Sequence, residues 1–496
     1  DQDAYGLLSV QHSPNVVIPL ASSYDERGIA GFTHTVTNAE DQRKINSIYE
    51  PIKTGGKTNL YLVKRPGVAD VGSSYGLTGQ VAYLFDIAAG ATTNAAANRW
   101  VFSTNGNDMQ ASDASLTTVI VTAAGYAPAF VDKTSISGTD TLVIQLRNAS
   151  GTQTVWTSTA IGTFTQITDT DFTGLAHQGK IEHVNGFALI ATRNRIFNSD
   201  LNSLTAWSAA SFIDRQAQQD IGTGIAKLGK TIISFGTATT EIYEVIGTPA
   251  FGCLKFVAAL DYGMPSTIVT GMRNYYTTIG GRLYWRGSNP TGVFAFNGQV
   301  VEKVSTIAID KILAERQHYN ISTLSFQGQQ AVAISLDLPS ATTQRSLLFF
   351  PEWNDWFEWS STVFIPQSSP RLEDVCLGVG TNQHKLYAMA VAADNWQDAG
   401  GNYTFTHQFK MPKNGNQRSR MSMFGVEGDT ARSTLALGVE FSDDDFQTFS
   451  TARTIDLSFA RKRLYSLGSY VSGRGVRLSY TGSLEVRLEN IVARVT

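Results

Sequence analysis

A tight Gly or Asn turn followed by four to seven mostly apolar β-formers recurs through the middle of this chain. It stands at Asn185-Gly186-Phe187-Ala188-Leu189-Ile190, and again at Gly229-Lys230-Thr231-Ile232-Ile233-Ser234-Phe235. It returns at Gly281-Arg282-Leu283-Tyr284-Trp285, at Gly328-Gln329-Gln330-Ala331-Val332-Ala333-Ile334, and more loosely at His384-Lys385-Leu386-Tyr387-Ala388-Met389. The glycine-to-glycine steps, about 43, 52 and 47 residues, are the length of a four-stranded propeller blade. A strand pair of this kind cannot bury both faces alone, so neighbouring units must stack. A ring-like β scaffold is therefore the leading fold, and such scaffolds serve enzymes and assembly parts alike.

Composition agrees with a β architecture. Charged residues make up only 16% of the chain, glycine is abundant, and no helical heptad pattern appears. At 496 residues, two to four domains are expected. The net charge of −3 excludes a generally basic nucleic-acid binder, while leaving room for a local basic face or a channel that DNA passes through. Cys253 and Cys376 are too few for a disulfide framework and lack metal spacing; two buried thiols are expected, a single incidental bridge being the alternative. No apolar run approaches the length of a membrane span. The chain opens on Asp1-Gln2-Asp3 and its first methionine is Met109, which reads as a trimmed or processed start with a lost signal segment left open.

The expected organisation is all-β in three stretches. Residues 1–75 form an N-terminal arm with platform strands, in which Asn59–Val63 ends at the Lys64-Arg65-Pro66-Gly67 turn. Residues 76–398 form a β-propeller with an insertion around 88–165, including an Ala-, Thr- and Asn-rich loop at 88–98. One helix is predicted at 307–317, with Ile309, Ile312 and Leu313 inward and Asp310, Lys311 and Glu315 towards solvent. Residues 399–496 read as seven short strands, at 403–409, 421–426, 434–441, 452–457, 464–470, 474–480 and 484–495. That pattern suggests a β-sandwich or jelly-roll-like platform module.

No constellation marks an enzyme. Phe441 to Phe449 and Asn198 to Trp207 resemble the Asp-box hairpin, in which a carboxylate caps a turn, and this is a structural role. Trp353, Trp356 and Trp359 suit either a carbohydrate platform or, as preferred, a hairpin packed between blades or at a subunit contact. His177 and His183 are the only close histidine pair and nothing completes a metal set; no cofactor motif is present. Glu241, Glu244 and Asp261 could in principle pair for glycoside chemistry, but nothing local marks them.

Charge is more informative in the last stretch. Lys410, Lys413, Arg418 and Arg420 lie in an acid-free run, and so do Arg461, Lys462, Arg463, Arg474 and Arg477. Between them stand Glu427, Asp429, Glu440, Asp443, Asp444 and Asp445. Such segregation suits docking between copies or with a partner. The candidate interface residues are Arg461, Lys462, Arg463, Asp443, Asp444, Asp445, Lys410, Arg418 and Arg420, with the acidic and basic stretches expected to meet across neighbouring copies. A simply solvated face and phosphate binding by the basic strands are the alternatives.

Four stretches carry a family resemblance: Lys57 to Gly67, Ile190 to Trp207, Gly224 to Glu244, and Arg461 to Gly468 with Gly475 to Leu478. On these the chain resembles the tail nozzle, or tail hub, proteins of short-tailed bacteriophages, the packaged-DNA stabilisation family. The resemblance implies a propeller joined to a platform-like β module and no catalytic residues. It implies about six copies in a ring below the portal and head-to-tail adaptor, next to tail fibre, spike or needle proteins, with double-stranded DNA passing through the lumen. It also implies a virion tail component, assembled in the bacterial host cytoplasm, that retains the packaged genome and conducts it during ejection. A sialidase-like propeller glycosidase and a host-receptor adhesin are the rival classes.

Overall fold

The computed structural model describes residues 16–19 and, between 43 and 495, all but 55–56, 71–79, 86–99, 106–107, 113–116, 122–125, 137, 149–151, 161–162, 218–219, 248–251, 266–274, 316–319, 327, 337–342, 367–374, 379–384, 390–394, 412–417, 432, 460–461 and 472. The 88–98 loop, His384 and Arg461 thus lie outside the described residues. The chain divides into two compact units, one of residues 67–391 with 398–400, the other of residues 1–66 with 392–397 and 401–496.

The first unit is a β-propeller of seven four-stranded blades among the described residues. Blade 1 comprises Gln80–Phe85, Trp100–Asn105, Asp108–Ser112 and Thr117–Val121, and blade 2 comprises Ala127–Ile136, Thr139–Arg147, Gln153–Ala160 and Thr163–Gln166. Blade 3 is Gln178–Val184, Phe187–Ala191, Arg195–Ser199 and Trp207–Asp214, and blade 4 is Gly222–Leu228, Thr231–Gly236, Thr240–Val245 and Leu254–Leu260. Blade 5 is Tyr276–Ile279, Arg282–Ser288, Thr291–Phe296 and Val301–Lys303, and blade 6 is Asn320–Phe326, Gln329–Ser335, Gln344–Phe350 and Asp355–Ser361. Within each blade the strands run antiparallel in sequence order. The recurring turn is the hairpin between the first and second strands of blades 3 to 6. At Asn185-Gly186 both residues have positive φ, 48° and 85°, the combination that a two-residue hairpin matching strand twist requires.

Blade 7 takes Phe364–Ile365, Val375–Gly378 and Leu386–Met389 from late in the unit and Val68–Asp70 from its beginning. Val68 pairs with Met389 and Asp70 with Tyr387, and Lys385 Nζ reaches Asp70 at 2.6 Å. This early strand, expected in the N-terminal arm, completes the last blade. Both ends of the unit thereby share one ladder, and a strand edge that would otherwise stay open is paired. Of the 88–165 stretch expected to hold an insertion, the described residues form strands of blades 1 and 2.

Between blades the interior is largely apolar. Val184, Phe187, Leu189, Ile225, Ile232 and Tyr243 fill the blade 3–4 seam. Phe235 against Trp285 and Phe294 fills the next one. Helix Ile307–Glu315 follows blade 5 and inserts Ile309 and Leu313 into the blade 5–6 seam, with Ile312 packed against it as predicted. Asp310 departs from its solvent-facing expectation: it accepts from Lys303 Nζ and Ser305 Oγ, both at 2.5 Å, and so ties the helix to the strand before it.

The second unit is a β-sandwich. One sheet orders Val16–Pro19, Asn490–Val495, Ser419–Glu427 and Arg463–Tyr465, with Ser469–Tyr470 also on Ser419–Glu427. Within this unit, the other orders Arg43–Ile45, Tyr403–Lys410, Gly475–Gly482, Ala436–Ser442 and Arg453–Asp456. Phe424 of the first meets Phe441 of the second edge-on at 5.8 Å, with Leu437, Val439, Leu478 and Ile491 buried around them. Ser47–Thr54, Lys57–Lys64 and Arg487–Leu488 form a third, small sheet. At its end Lys64 is fully buried, donating to the carbonyls of Trp396, at 2.8 Å, and Gly482, with its ammonium 4.2 Å from the Tyr403 ring.

Candidate assembly surface and buried tyrosine hub

In the sandwich, cross-strand register decides what the segregated charges do. Gly475–Gly482 lies between Tyr403–Lys410 and Ala436–Ser442, so its Arg477 falls opposite Glu440 of the neighbouring strand. Arg477 grips Glu440 with two bonds of 2.6 and 2.8 Å, and its guanidinium lies 3.7 Å from the Phe449 ring centroid. Arg474 holds Asp443 through two bonds of 2.7 Å and also donates to the carbonyls of Leu467 and Ser469. Lys410 pairs with Asp445. Asp443 and Asp445 are thus engaged by Arg474 and Lys410 of their own chain.

Asp444 has a different task. Its carboxylate accepts from Thr448 N at 2.9 Å, Thr448 Oγ1 at 2.5 Å and Ser442 Oγ at 2.8 Å, and these bonds hold its pKa down at about 2. Asp445 and Phe446 sit at positive φ, and the Phe446 ring covers Gly475, where a Cβ would come within 2.4 Å of it. This is the expected Asp-box-like turn. The longer variant at Asn198–Trp207 uses hydroxyls instead: Ser199 Oγ accepts from Ala188 N and Ser203 Oγ from Ala206 N, while Trp207 is buried and donates to Leu204 O.

The remaining predicted positions separate by burial. Lys462 is buried; its ammonium donates to Gly428 O at 2.6 Å and Asp429 O at 2.8 Å, and burial lowers its pKa. Arg463, Arg418 and Arg420 are exposed. Arg463 lies over Gly425, where a Cβ would meet its Cγ at 2.8 Å. Sequence reasoning missed Arg474, Arg477 and Glu440 as the partners in these pairs, because pairing follows register, which a single sequence does not display.

The second arrangement lies in the propeller, where blades 2 to 5 meet at Tyr275. Tyr275, fully buried just ahead of blade 5, donates to Ile225 O at 3.0 Å and accepts from Lys180 N at 3.0 Å. Its ring meets Phe130 of blade 2 edge-on at 5.8 Å and Phe235 of blade 4 at 6.2 Å. The space exists because blades 3 and 4 carry Gly179 and Gly224 there; a Cβ on either would come within 2.3 and 2.5 Å of the Tyr275 oxygen. Strands of blades 2, 3 and 4 thus converge on the phenol that leads into blade 5.

Next to this hub the innermost strands carry charge. Lys180 bridges Asp132 at 2.8 Å and Glu182 at 3.6 Å, and Tyr276 OH donates to Glu182. Burial pushes the Glu182 carboxyl up to about 7 against the pull of Lys180. His177, just ahead of this blade, is buried and His183 within it is half-buried, and desolvation lowers both to about 4. They do not form a metal site, and no cluster of potential metal ligands occurs among the described residues.

Glu241 is fully buried and accepts from Gln216 N at 3.1 Å, Ala217 N at 2.7 Å and Tyr243 OH, close to Arg215. It anchors the link between blades 3 and 4. Glu244 lies three residues along the same strand and is exposed, as is Asp261, so these carboxylates do not converge. Trp359 is buried and Trp356 stacks on Phe349 while donating to Val304 O at 2.8 Å, which is the packing role preferred from sequence. Both cysteines are buried free thiols.

Among solved structures the chain is similar to Kluyveromyces lactis Hsv2 at 10% identity, covering 57% of this chain and 87% of that one with a TM-score of 0.30. It is similar to the AfRom2 CNH domain at 13% identity, covering 50% and 92% with a TM-score of 0.20. Both scores are too low to bear on the fold. No curated protein matches significantly. The family model described as "Bacteriophage P22 Gp10, beta-propeller" matches residues 41–344, more than half of the chain. The chain belongs to that family, as its motifs suggested, and so ranks among bacteriophage structural proteins.

Proposed function

We propose that this member of the phage Gp10 β-propeller family is the tail nozzle or hub of a short-tailed phage. In this reading about six copies form a ring beneath the portal and head-to-tail adaptor. The ring bears fibre, spike or needle proteins, retains the packaged genome and then conducts it outward. The family match carries the reading. The fold supports it in one respect: a β-propeller and a β-sandwich in one chain match the scaffold that the family resemblance implies.

Charge supports it in another. A conduit must release phosphates as the genome moves, and each neutralised phosphate adds salt-dependent affinity that resists movement. With 39 basic against 42 acidic residues, and Lys410, Arg474 and Arg477 already engaged by carboxylates, the chain holds little cationic surface for such contacts. Electron microscopy of the purified full chain tests the reading and should show rings with an axial hole. Phage particles lacking the protein should package DNA and then lose it, measured as nuclease-sensitive genome. Isolated monomers together with particles that keep their DNA would overturn it.

A further inference from the structure

Where the chain passes from the sandwich into the propeller, firmly held residues stand close together in sequence on either side of the crossing. In the sandwich Lys64 and Arg65 are both fully buried. Lys64 N donates to Val486 O at 2.9 Å, and its ammonium donates to the carbonyls of Trp396 and Gly482. Arg65 donates through N to Asn46 O at 2.9 Å and through Nε to Asn46 Oδ1 at 3.1 Å, while Tyr403 OH donates to Arg65 O. In the propeller Val68, also fully buried, opens the strand that completes blade 7. Only Pro66 and Gly67 separate these anchors, and two residues reach no further than about 7 Å. The returning chain is tied to the same residues: its Trp396 carbonyl takes the Lys64 ammonium in the sandwich, and in the propeller its Asp398 bridges Val68 in parallel. Ala399 N then donates to Val68 O at 2.8 Å.

The completing strand is weak by itself. Val68–Asp70 makes three pairs with Leu386–Met389, and of its residues only Val68 is buried. The pair between Lys385 and Asp70 lies at a partly open surface and adds little. So short an outer strand frays unless something besides its own ladder restrains it. The crossing supplies that restraint, because the strand can leave its blade only by the slack in Pro66 and Gly67 while Lys64 and Arg65 stay docked. We infer that Val68–Asp70 is a strap through which the sandwich controls closure of the propeller. Seated and unseated are its two states, and docking of Lys64 and Arg65 biases that equilibrium from within the other unit. A partner that shifts strand Lys57–Lys64 would therefore loosen blade 7 without touching it. This coupling does not depend on the ring proposed above.

The test follows amide hydrogen exchange of Leu386–Met389, the ladder partner of the strap, in the full chain. Lys64→Met, which removes the ammonium bonds to Trp396 and Gly482 in the sandwich, should speed that exchange at least about tenfold. A flexible insert of about six Gly and Ser residues between Pro66 and Gly67 should speed it as well, by giving the strap slack. Adding Lys64→Met to the insert form should then bring no further acceleration in blade 7, since the sandwich no longer pulls on the strap. Glu440→Ala, in the same unit but away from the crossing, should leave the exchange of Leu386–Met389 at the parent rate. Circular dichroism reports folding, and a Lys64→Met chain that unfolds leaves the insert form to decide. Exchange at the parent rate in the insert form would overturn the coupling. So would an acceleration by Lys64→Met that persists undiminished behind the insert.

Discussion

In blade 3 a carboxylate, Glu182, is buried against Lys180 and Tyr276 beside a phenol that strands of four blades share. In the sandwich a carboxylate of similar reach, Glu440, meets Arg477 across two strands at a partly open surface. Both are ion pairs between neighbouring groups, yet they have different consequences. Glu182 is buried while Lys180 keeps about a fifth of its side-chain exposure, so protonation of the carboxyl is coupled to the packing around it. The outer pair keeps more of its solvent, and breaking it leaves nothing stranded. The propeller should therefore be sensitive to small steric and protonic changes around Tyr275 and Glu182, while the sandwich should tolerate the loss of charges that look equally well placed.

The largest effect should come from Gly179→Ala. The new Cβ falls 2.3 Å from the Tyr275 oxygen and 2.9 Å from the Gly224 Cα, and the residue has a φ of 74° that alanine adopts poorly. Overpacking and backbone strain together should cost about 3 kcal/mol. Thermal unfolding should show a lowered propeller transition, with hydrogen exchange accelerated in blades 3 to 5 and unchanged in the sandwich. Adding Tyr275→Phe should recover part of the loss, since the closest clash is with its hydroxyl. An unaltered melting temperature would mean that the hub is loosely packed and the contrast with the sandwich is unfounded.

How far the sequence reveals each half of this contrast follows from the range of the interactions. The hairpin at Asn185-Gly186 is legible because positive φ at two adjacent positions restricts the residue types locally. Helix Ile307–Glu315 is legible because Ile309, Ile312 and Leu313 fall on one face of a 3.6-residue period. Strands such as Tyr403–Lys410 and Gly475–Gly482 lie within a residue or two of the stretches read from alternation. The hub is not legible. Tyr275 meets Gly179 and Gly224 only after blades have stacked, and no local pattern distinguishes those glycines from turn glycines. Closure by Val68–Asp70 depends on a partner more than 300 residues away. The same holds for charge: clusters at 410–420, 427–445 and 461–477 are visible, but whether Asp443 meets Arg474 of its own chain depends on register.

An intermediate effect should appear in the pH dependence of the propeller. Folding raises the Glu182 carboxyl from its usual 4.5 to about 7, mainly by burial, with Asp132 adding to the rise and Lys180 and Lys227 opposing it. Between these values the folded state binds the extra proton, so the stability this group supplies is full below pH 4.5 and is lost as pH rises through 7. The buried His177 and the half-buried His183 act oppositely. Lowered to about 4, they supply stability above pH 6.5 that is lost as pH falls towards 4. Comparing Glu182→Gln with the parent at each pH isolates the carboxyl. The variant should match the parent near pH 5 and exceed it by about 1–3 kcal/mol at pH 8. A difference that stays flat with pH would place Glu182 in a wetter setting than its burial indicates.

The smallest effect should be the coupling between Glu440 and Arg477, although their two short bonds make this one of the better-formed pairs in the sandwich. Arg477 retains about a third of its side-chain exposure and Glu440 about a sixth, so water competes for both charges. A double-mutant cycle with Glu440→Ala and Arg477→Ala should return a coupling below about 1 kcal/mol, shrinking further as salt is raised. Arg477→Ala alone should cost more than that coupling, because it also removes the guanidinium from the face of Phe449. Urea unfolding of the four proteins measures both quantities. A coupling of several kcal/mol would show that the sandwich desolvates its carboxylates as the propeller does Glu182, and the contrast between the two regions would then rest on packing alone.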